Sequence, residues 1–223
     1  LEKKIYFMIH SGSREFGFDT NAKFSKLFKN VNDINKFNNS YMKSFGKARD
    51  YAFKNRESLR NIVLDVMESQ RGEKISTKLF YDKPHNDIEV QENGSLNYKL
   101  KKGTNSLKED ELFVIPGNCT SNAYVIKGGK GLKESHGTIN HGCGRKYTRS
   151  QIFSRYGRSS KLDSIFKEIV LNVSPKQMIE EIPKAYKKIE DIISSVEKYN
   201  LGEKVAKLKP LGVIVERKQE RRK

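Results

Sequence analysis

Two glycines flank a cysteine directly after His141, in the sequence His-Gly-Cys-Gly-Arg, and this loop has the composition of a phosphate-binding segment. Gly142 and Gly144 remove side-chain bulk beside the backbone N–H groups, and Arg145 offers a planar guanidinium to phosphate oxygens. A neutral imidazole is also a competent nucleophile near pH 7. The segment alone leaves two readings open, a phosphate-binding loop with a nucleophile or an ordinary glycine turn.

The chain has only four histidines in 223 residues, and three of them lie in loop-like segments rich in Gly, Ser, Asn or Pro. His10 follows the apolar run 5–9, which predicts a buried strand that turns into a loop. His85 follows Pro84, which disfavours a helix and favours an extended approach. Histidines at strand ends can converge on a metal ion. No short-range pair such as His-x-x-x-His is present, so separate surface loops remain the alternative.

The composition is strongly basic, with 44 Lys and Arg against 27 Asp and Glu and a formal net charge of +17. Such a surface binds nucleic acid in a salt-dependent way, although a solvated lysine-rich surface is the alternative. The two cysteines, Cys119 and Cys143, argue against a disulfide framework. No apolar run approaches the roughly 18 residues that span a bilayer, and no signal-peptide pattern is present. We therefore expect a soluble intracellular protein that does not bind membranes.

Hydrophobic periodicity predicts a mixture of helices and strands. A chain of this length should form one domain over residues 1–223 with a real core. Helical spacing occurs at 21–28, 39–69, 162–170 and 185–199, and short apolar stretches predict strands at 88–90, 98–100, 112–115 and 124–126. This order predicts an α+β fold, with mixed β-sheet layers flanked by helices. Because the chain starts at Leu1 without methionine and enters a predicted strand at once, we expect that an amino-terminal portion of the domain is missing.

A series of segments, all in one order, resembles the carboxy-terminal part of the RtcB family of RNA-splicing ligases. The matching segments are His-Ser-Gly-Ser-Arg at 10–14, Ala-Arg-Asp-Tyr-Ala-Phe-Lys-Asn-Arg at 48–56, His-Asn at 85–86, Lys-Lys-Gly at 101–103, Ile-Pro-Gly at 115–117, Tyr-Val at 124–125, the loop at 141–145, and residues 181–187 and 208–214. The resemblance spans nearly the whole chain and implies an RtcB-like fold. Its most specific parts are the two motifs that contain His10 and His141.

The resemblance implies an activity and its cofactors. Members of the family join a 2′,3′-cyclic phosphate or 3′-phosphate end of RNA to a 5′-hydroxyl end, using GTP and manganese through a histidine-linked GMP. His141 matches that histidine, His10 and His85 match two manganese ligands, and Asn86 would orient the neighbouring groups. The other ligands of the two expected Mn²⁺ ions belong to segments that precede His10 in the family. This chain alone should therefore hold metal poorly.

The resemblance also implies a nucleotide-binding wall and a groove for RNA. The residues that match the wall are Pro116, Gly117, Asn118, Ala123, Cys143, Gly144 and Tyr186. Asn118 and Ala123 replace serines of the family, and Val215 replaces a lysine that engages guanine, so either Lys218 reaches the base or nucleotide selectivity is relaxed. The positions that match phosphate- and RNA-binding residues are Arg14, Asn86, Lys102, Arg145 and Arg149.

Three functions are compatible with these residues. The first is a GTP- and manganese-dependent RNA ligase of tRNA splicing or RNA repair, acting in the cytoplasm on tRNA halves or nicked RNA with an archease-like activator. The second is a catalytically degenerate RNA-binding module that kept the basic groove. A metal-dependent hydrolase, the third, would need a carboxylate base for which no distinctive motif appears. His136 matches no family role and is interpreted as a loop histidine.

Overall fold

The computed structural model describes residues 4–30, 32–92, 96–157, 159 and 161–216. The chain divides into two compact units, Leu1–Pro84 and His85–Lys223. The expectation of a single domain over residues 1–223 stays a prediction.

The first unit contains two helices, α1 (Arg14–Phe28) and α2 (Ile34–Arg71). Helix α2 begins after Asp33, whose carboxylate accepts the backbone N–H of Lys36, and it ends at Gly72 in the left-handed conformation. No proline interrupts it, so it extends beyond the predicted range 39–69 at both ends. Helix α1 likewise begins earlier than predicted.

The predicted strand at 5–9 is wrong. Residues 4–13 adopt no regular secondary structure, and the side chains of Ile5, Tyr6, Phe7 and Met8 are at least half exposed. A strand is stabilised by hydrogen bonds to a neighbouring strand. The described part of this unit holds helices and no strand, so the apolar run has nothing of that kind to pair with.

The second unit contains all the strands that the structure describes, and they form four small sheets. The pairs are a hairpin of β1 (Asn86–Glu92) and β2 (Leu96–Lys102), β3 (Thr104–Ser106) with β6 (Thr138–Asn140), the three-stranded sheet β4 (Leu112–Ile115), β5 (Ala123–Gly128) and β8 (Gly202–Leu208), and the parallel pair β7 (Val170–Leu171) and β9 (Gly212–Val213). The four strands predicted within this unit are confirmed, inside β1, β2, β4 and β5.

Short helices connect these strands. They are α3 (Arg149–Tyr156), α4 (Leu162–Phe166) and α5 (Ile189–Lys198), with 3₁₀ helices at Lys130–Lys133, Pro175–Glu181 and Pro183–Ala185. The helix predicted at 162–170 is too long, because the chain turns into β7 after α4. The helix predicted at 185–199 begins only at Ile189 in the structure, four residues later than predicted, because the turn at Pro183 is followed by extended backbone at Tyr186 and Lys188. The α+β class is confirmed.

An apolar core in the second unit supports three parts of the chain that lie far apart in sequence. Its buried members are Ile152, Leu162, Phe166, Met178, Ile179, Ile182 and Ala185. Cys119, Tyr186 and Val215 pack against it while remaining partly exposed. This core therefore holds three separate parts of the chain in fixed positions. Across the described ranges, no helix is both long and apolar enough to cross a membrane.

Candidate active site

The ends of the β1–β2 hairpin bring two of the predicted site histidines together. His85 directly precedes β1, Gly103 directly follows β2, and Asn86 pairs with Lys102 across the hairpin. The backbone N–H of His141 donates to the Gly103 carbonyl at 3.2 Å. The imidazole rings of His85 and His141 meet edge to face, with centroids 4.4 Å apart and planes at 84°.

One edge of the His141 ring lies against the end of the hairpin. Its Nδ1 atom is buried, and a Cβ atom placed on Gly103 would lie 3.7 Å from both Nδ1 and Cε1. At that distance a Cβ atom would make ordinary van der Waals contact with the ring, so it is the backbone, with a φ of 76° at Gly103, that favours glycine here.

Lys101 is a buried lysine that sequence reasoning missed. Only 4% of the residue is exposed, and its ammonium group donates to the Glu89 carboxylate and the Ser106 hydroxyl, with the Asp87 carboxylate 4.0 Å away. These contacts join β1, β2 and β3 beside His85. A lysine so enclosed requires charged partners, which these strands supply.

Three segments of the chain meet around the loop that follows His141. We call residues 116–123, 141–147 and 180–187 the three site segments. The Cys143 N–H donates to the Pro116 carbonyl at 3.0 Å, and the Lys187 N–H donates to the Gly144 carbonyl at 3.1 Å. Arg145 and Tyr186 form an antiparallel bridge. The structure thus connects the predicted nucleotide-binding residues of all three segments through backbone hydrogen bonds.

Gly144 provides an open stretch of backbone in this loop. Its φ of 68° lies in the left-handed region that favours glycine, and a Cβ atom placed there would meet nothing within 4 Å. A ligand can therefore lie against the backbone at this point. The neighbouring Cys143 is 3% exposed, and burial raises the pKa of its thiol. This thiol remains protonated at neutral pH and is not a nucleophile here.

The turn at 117–121 uses the Asn118 side chain internally. Its amide oxygen accepts from the Thr120 N–H at 3.0 Å and from the Thr120 hydroxyl at 2.9 Å, and its backbone N–H donates to the Ser121 hydroxyl at 2.8 Å. Ala123 begins β5 directly after this turn. Asn118 therefore stabilises the turn itself, in addition to any contact with a ligand.

The predicted phosphate-binding arginines of this unit differ in their surroundings. The Arg145 guanidinium donates to the carbonyls of Tyr147 and Glu180 and to the Tyr186 hydroxyl, at 3.1, 2.8 and 3.0 Å. Arg149, with a side chain that is 71% exposed, lies 3.5 Å from the Glu180 carboxylate. Arg145 is thus fixed by the protein, whereas Arg149 faces solvent, as does Lys102.

Glu181 is the second residue that sequence reasoning missed, although it lies in a segment that resembles the family. Its carboxylate accepts the Tyr186 hydroxyl proton and lies 3.5 Å from Arg145. Burial, and then this carboxylate, raise the pKa of Tyr186 above its usual range. Cys119 donates to the Glu181 carbonyl, with 3.1 Å between Sγ and O. Burial raises the pKa of the Cys119 thiol to about 11.

The predicted site residues of the first unit are His10, in the loop before α1, and Arg14, at the start of that helix. His10 is exposed. The Asn55 side chain donates to the Ser11 hydroxyl at 2.9 Å and to the Gly12 carbonyl at 3.0 Å. Arg56 donates to the Ser11 carbonyl and forms an ion pair with Asp82 at 2.7 Å. Helix α2 therefore holds this loop in place.

The metal-binding potential of the chain lies in its imidazoles. Within the described ranges, no group of three or more His, Cys, Asp or Glu side chains comes together. Neutral imidazole nitrogens are ligands for first-row divalent ions in general, so His10 and His85 have the residue type that a metal site uses, whereas the oxygen ligands that manganese prefers are not grouped with them among the residues that the structure describes. His136 lies in an exposed turn with φ of 54° and is not part of the site. Lys218 lies outside the described residues.

Comparisons with known proteins agree on one family. A family model described as tRNA-splicing ligase RtcB matches residues 1–216. The chain is similar to proteins named tRNA-splicing ligase RtcB from Methanococcus maripaludis and Nanoarchaeum equitans, each 24% identical over 95% and 96% of this chain respectively and 52% of the relative. A relative of the same name from Methanocaldococcus jannaschii is 23% identical over 96% of this chain and 26% of its own length. The chain thus spans about half the length of the first two relatives.

Proposed function

This chain belongs to the RtcB family, and we propose that it is part of an RNA ligase that joins 2′,3′-cyclic phosphate or 3′-phosphate ends of RNA to 5′-hydroxyl ends. The observation that carries the proposal is the edge-to-face contact of His85 with His141, which stands in the same loop as the open backbone of Gly144. A histidine nucleophile beside a second imidazole, in a loop with exposed glycine backbone, suits nucleotidyl transfer.

His141 would act as the nucleophile through Nε2, since Nδ1 is buried beside Gly103. The Nε2 lone pair forms a bond to the α-phosphorus of GTP, and the bond from that phosphorus to its bridging oxygen breaks, so that pyrophosphate leaves with the electron pair. The oxygen of an RNA 3′-phosphate then displaces the histidine and takes the GMP. The 5′-hydroxyl oxygen then attacks the 3′-phosphorus and loses its proton to solvent, while the bond from that phosphorus to the GMP oxygen breaks, so that the phosphodiester forms and GMP leaves. A 2′,3′-cyclic phosphate is first hydrolysed: a water oxygen bonds to phosphorus, the bond to the 2′ oxygen breaks, and that oxygen takes a proton.

Manganese, expected as two ions in the complete protein, would supply positive charge that polarises phosphate oxygens when bound. We propose His10 and His85 as the ligands from this chain, with further ligands from the rest of the protein. The edge-to-face contact between His85 and His141 restricts the direction of the His85 ring. Asn86, next in sequence, would orient this neighbourhood.

The remaining residues bind and orient the substrates. Pro116, Gly117, Asn118, Ala123, Cys143, Gly144 and Tyr186 would line the nucleotide site, and Arg14, Lys102, Arg145 and Arg149 would lie along the RNA. Exposed cations suit RNA phosphates because they attract the backbone without reading its sequence. The proposal includes tRNA halves or nicked RNA as substrates, a role in tRNA splicing or RNA repair in the cytoplasm, and an archease-like activator.

Covalent labelling tests the proposal. The complete protein, incubated with α-labelled GTP and Mn²⁺, should retain label in an acid-labile P–N bond, and His141→Ala should abolish it. His136→Asn is the matched control, because it removes a histidine outside the site and asparagine tolerates the left-handed backbone there. Equal labelling of wild type and His141→Ala would remove His141 from this role.

A second candidate function is an RNA-binding module that has lost the nucleotide site. The observation that favours it is the use of the Asn118 amide oxygen inside its own turn, together with the packing of Val215 against the apolar core. The Asn118 amide oxygen is then already used inside the protein, and the Val215 side chain has no polar group to offer to a nucleotide. The same labelling experiment separates the two candidates, since a binding module takes up no label while still binding RNA.

A further inference from the structure

Glu181 contacts all three site segments through different atoms. Its carbonyl oxygen accepts from Cys119 in the segment 116–123. One carboxylate oxygen lies 3.5 Å from the Arg145 guanidinium in the segment 141–147, and the other accepts the hydroxyl proton of Tyr186 in its own segment. One side chain and its backbone therefore connect the parts of the chain that carry the candidate nucleotide site.

The Glu181 carboxylate also determines how Tyr186 and Arg145 interact. Because Tyr186 donates its only hydroxyl proton to Glu181, its oxygen is left to accept from Arg145 at 3.0 Å. The Arg145 guanidinium carbon also lies 4.9 Å from the centre of the Tyr186 ring. A charged acceptor at the end of such a chain strengthens each hydrogen bond in it.

The partial burial of the cluster gives the carboxylate more influence than a surface ion pair would have. The side chains of Arg145 and Glu181 are 26% and 33% exposed, whereas the neighbouring Arg149 is 71% exposed. Exposed ion pairs fix geometry weakly, because solvent competes for both charges. The Glu181 cluster adds two carbonyl acceptors for Arg145, so the guanidinium is held on several sides.

From this geometry we infer that Glu181 is a positioning residue for nucleotide binding, which acts by holding Tyr186 and Arg145 in one orientation beside the open backbone of Gly144. The inference rests on the proposed function for its consequence, but the cluster itself exists without any ligand. Loss of the carboxylate would leave Tyr186 free to turn its hydroxyl proton toward solvent. Arg145 would then lose a fixed acceptor, and the affinity for the nucleotide would fall.

A ligand-free measurement tests the cluster directly. Tyr186 is followed by NMR in the complete protein with ring-labelled tyrosine, its signal assigned by the Tyr186→Phe variant. Glu181→Gln keeps the size of the side chain and removes its charge, so the Tyr186 pKa should fall toward its usual range. Glu197→Gln is the matched control, because it removes the same charge from α5, outside the three site segments, where the carboxylate lies 3.8 Å from Lys204. An unchanged Tyr186 pKa in Glu181→Gln would overturn the inference.

Kinetics of self-guanylylation then test the consequence. We expect Glu181→Gln to raise the KM for GTP about tenfold with little change in the maximal rate, and Glu181→Ala to raise it further, while Glu197→Gln keeps the wild-type KM. A residue that only stabilises the fold would lower the amount of active protein and leave KM unchanged. Wild-type protein without labelling would refute the proposed ligase; wild-type labelling with an unchanged KM in both Glu181 variants would refute the role of Glu181 alone.

Discussion

The side chains of the candidate site differ in whether their chemistry is available near neutral pH. His141 is an imidazole with one buried nitrogen, whereas the thiols of Cys119 and Cys143 are kept protonated by burial. Because a thiol reacts only as thiolate, neither cysteine competes with the histidine as a nucleophile. Burial as well as residue type therefore favours His141 over the two cysteines as the proposed nucleophile.

The Cys119 thiol provides a pH-dependent test of this arrangement. With its pKa raised to about 11, its alkylation by iodoacetamide should accelerate about tenfold with each pH unit from neutral pH toward that value, because the thiolate fraction rises in that proportion. The rate at Cys119 is measured by mass spectrometry, with glutathione as the reference thiol. In urea, which unfolds the protein, the alkylation rates of Cys119 and glutathione should depend on pH in the same way. A Cys119 rate that levels off near pH 9 in the folded protein would show that the thiol is not buried against Glu181.

At the scale of elements, the long helix α2 carries the residues that hold the His10 loop, and two of its glycines make opposite contributions. Gly46 lies inside the helix and Gly72 lies at its carboxyl end with φ of 70°. A Cβ atom at either position would meet nothing within 4 Å, so only the backbone distinguishes the two sites. Alanine suits a helix interior, but it is strained in the left-handed conformation.

Alanine substitutions at these two glycines should therefore have opposite effects. Gly46→Ala should raise the free energy of unfolding by about 0.5–1 kcal/mol, and Gly72→Ala should lower it by about 1–2 kcal/mol. Urea denaturation followed by far-ultraviolet circular dichroism measures both. Each variant serves as the control for the other, since both add one methyl group to the same helix. Destabilisation of similar size in both variants would mean that the Gly46 region is more tightly packed than the structure shows.

The elements that sequence patterns identified are those in which local periodicity agrees with tertiary packing. The long helix and the strands in β4 and β5 satisfy this condition. In β2 the pattern misleads, because Leu100 is 74% exposed whereas Lys101 is buried with its acidic partners. An alternating pattern cannot reveal a buried face that is built from paired charges.

The residue types of the candidate site could be proposed from the sequence, but the contacts between them could not. The glycines and the histidine of the loop at 141–145 are enough to indicate a candidate phosphate-binding segment. The contact between His85 and His141 depends on the register of β1 and β2, which sets Asn86 opposite Lys102. The position of Glu181 depends on where the 3₁₀ helix Pro175–Glu181 ends. Both depend on long-range packing, which is absent from a single segment.

At the scale of the whole molecule, the basic charge is the property that extends beyond the site. The net charge of +17 attracts any polyanion, so affinity for RNA alone says little about where the RNA lies. A protein cation that contacts a phosphate releases a condensed counterion. The number of such contacts therefore sets the slope of the logarithm of the binding constant against the logarithm of salt concentration. Exposed cations of the predicted groove should contribute to that slope. Arg145, which donates to several protein acceptors, should contribute less.

The salt dependence of binding to single-stranded RNA should report the number of these phosphate contacts. With phosphate contacts from Arg14, Lys102 and Arg149, the logarithm of the binding constant should fall against the logarithm of salt concentration with a slope of about −2, since each contact contributes about −0.7. Fluorescence anisotropy of labelled RNA with this 223-residue chain measures it. The double variant Lys102→Ala/Arg149→Ala should reduce the slope to less than about half, because it removes two of the three contacts.

A charge-matched double variant separates these contacts from the general field. Lys167→Ala/Lys176→Ala removes the same charge from exposed positions outside the three site segments. It should weaken binding slightly at low salt and leave the slope unchanged, because long-range attraction is screened within about 10 Å at moderate ionic strength. Equal loss of slope in both double variants would place the RNA over the whole basic surface. A loss confined to Lys102 and Arg149 would support a defined path for the RNA along the candidate groove.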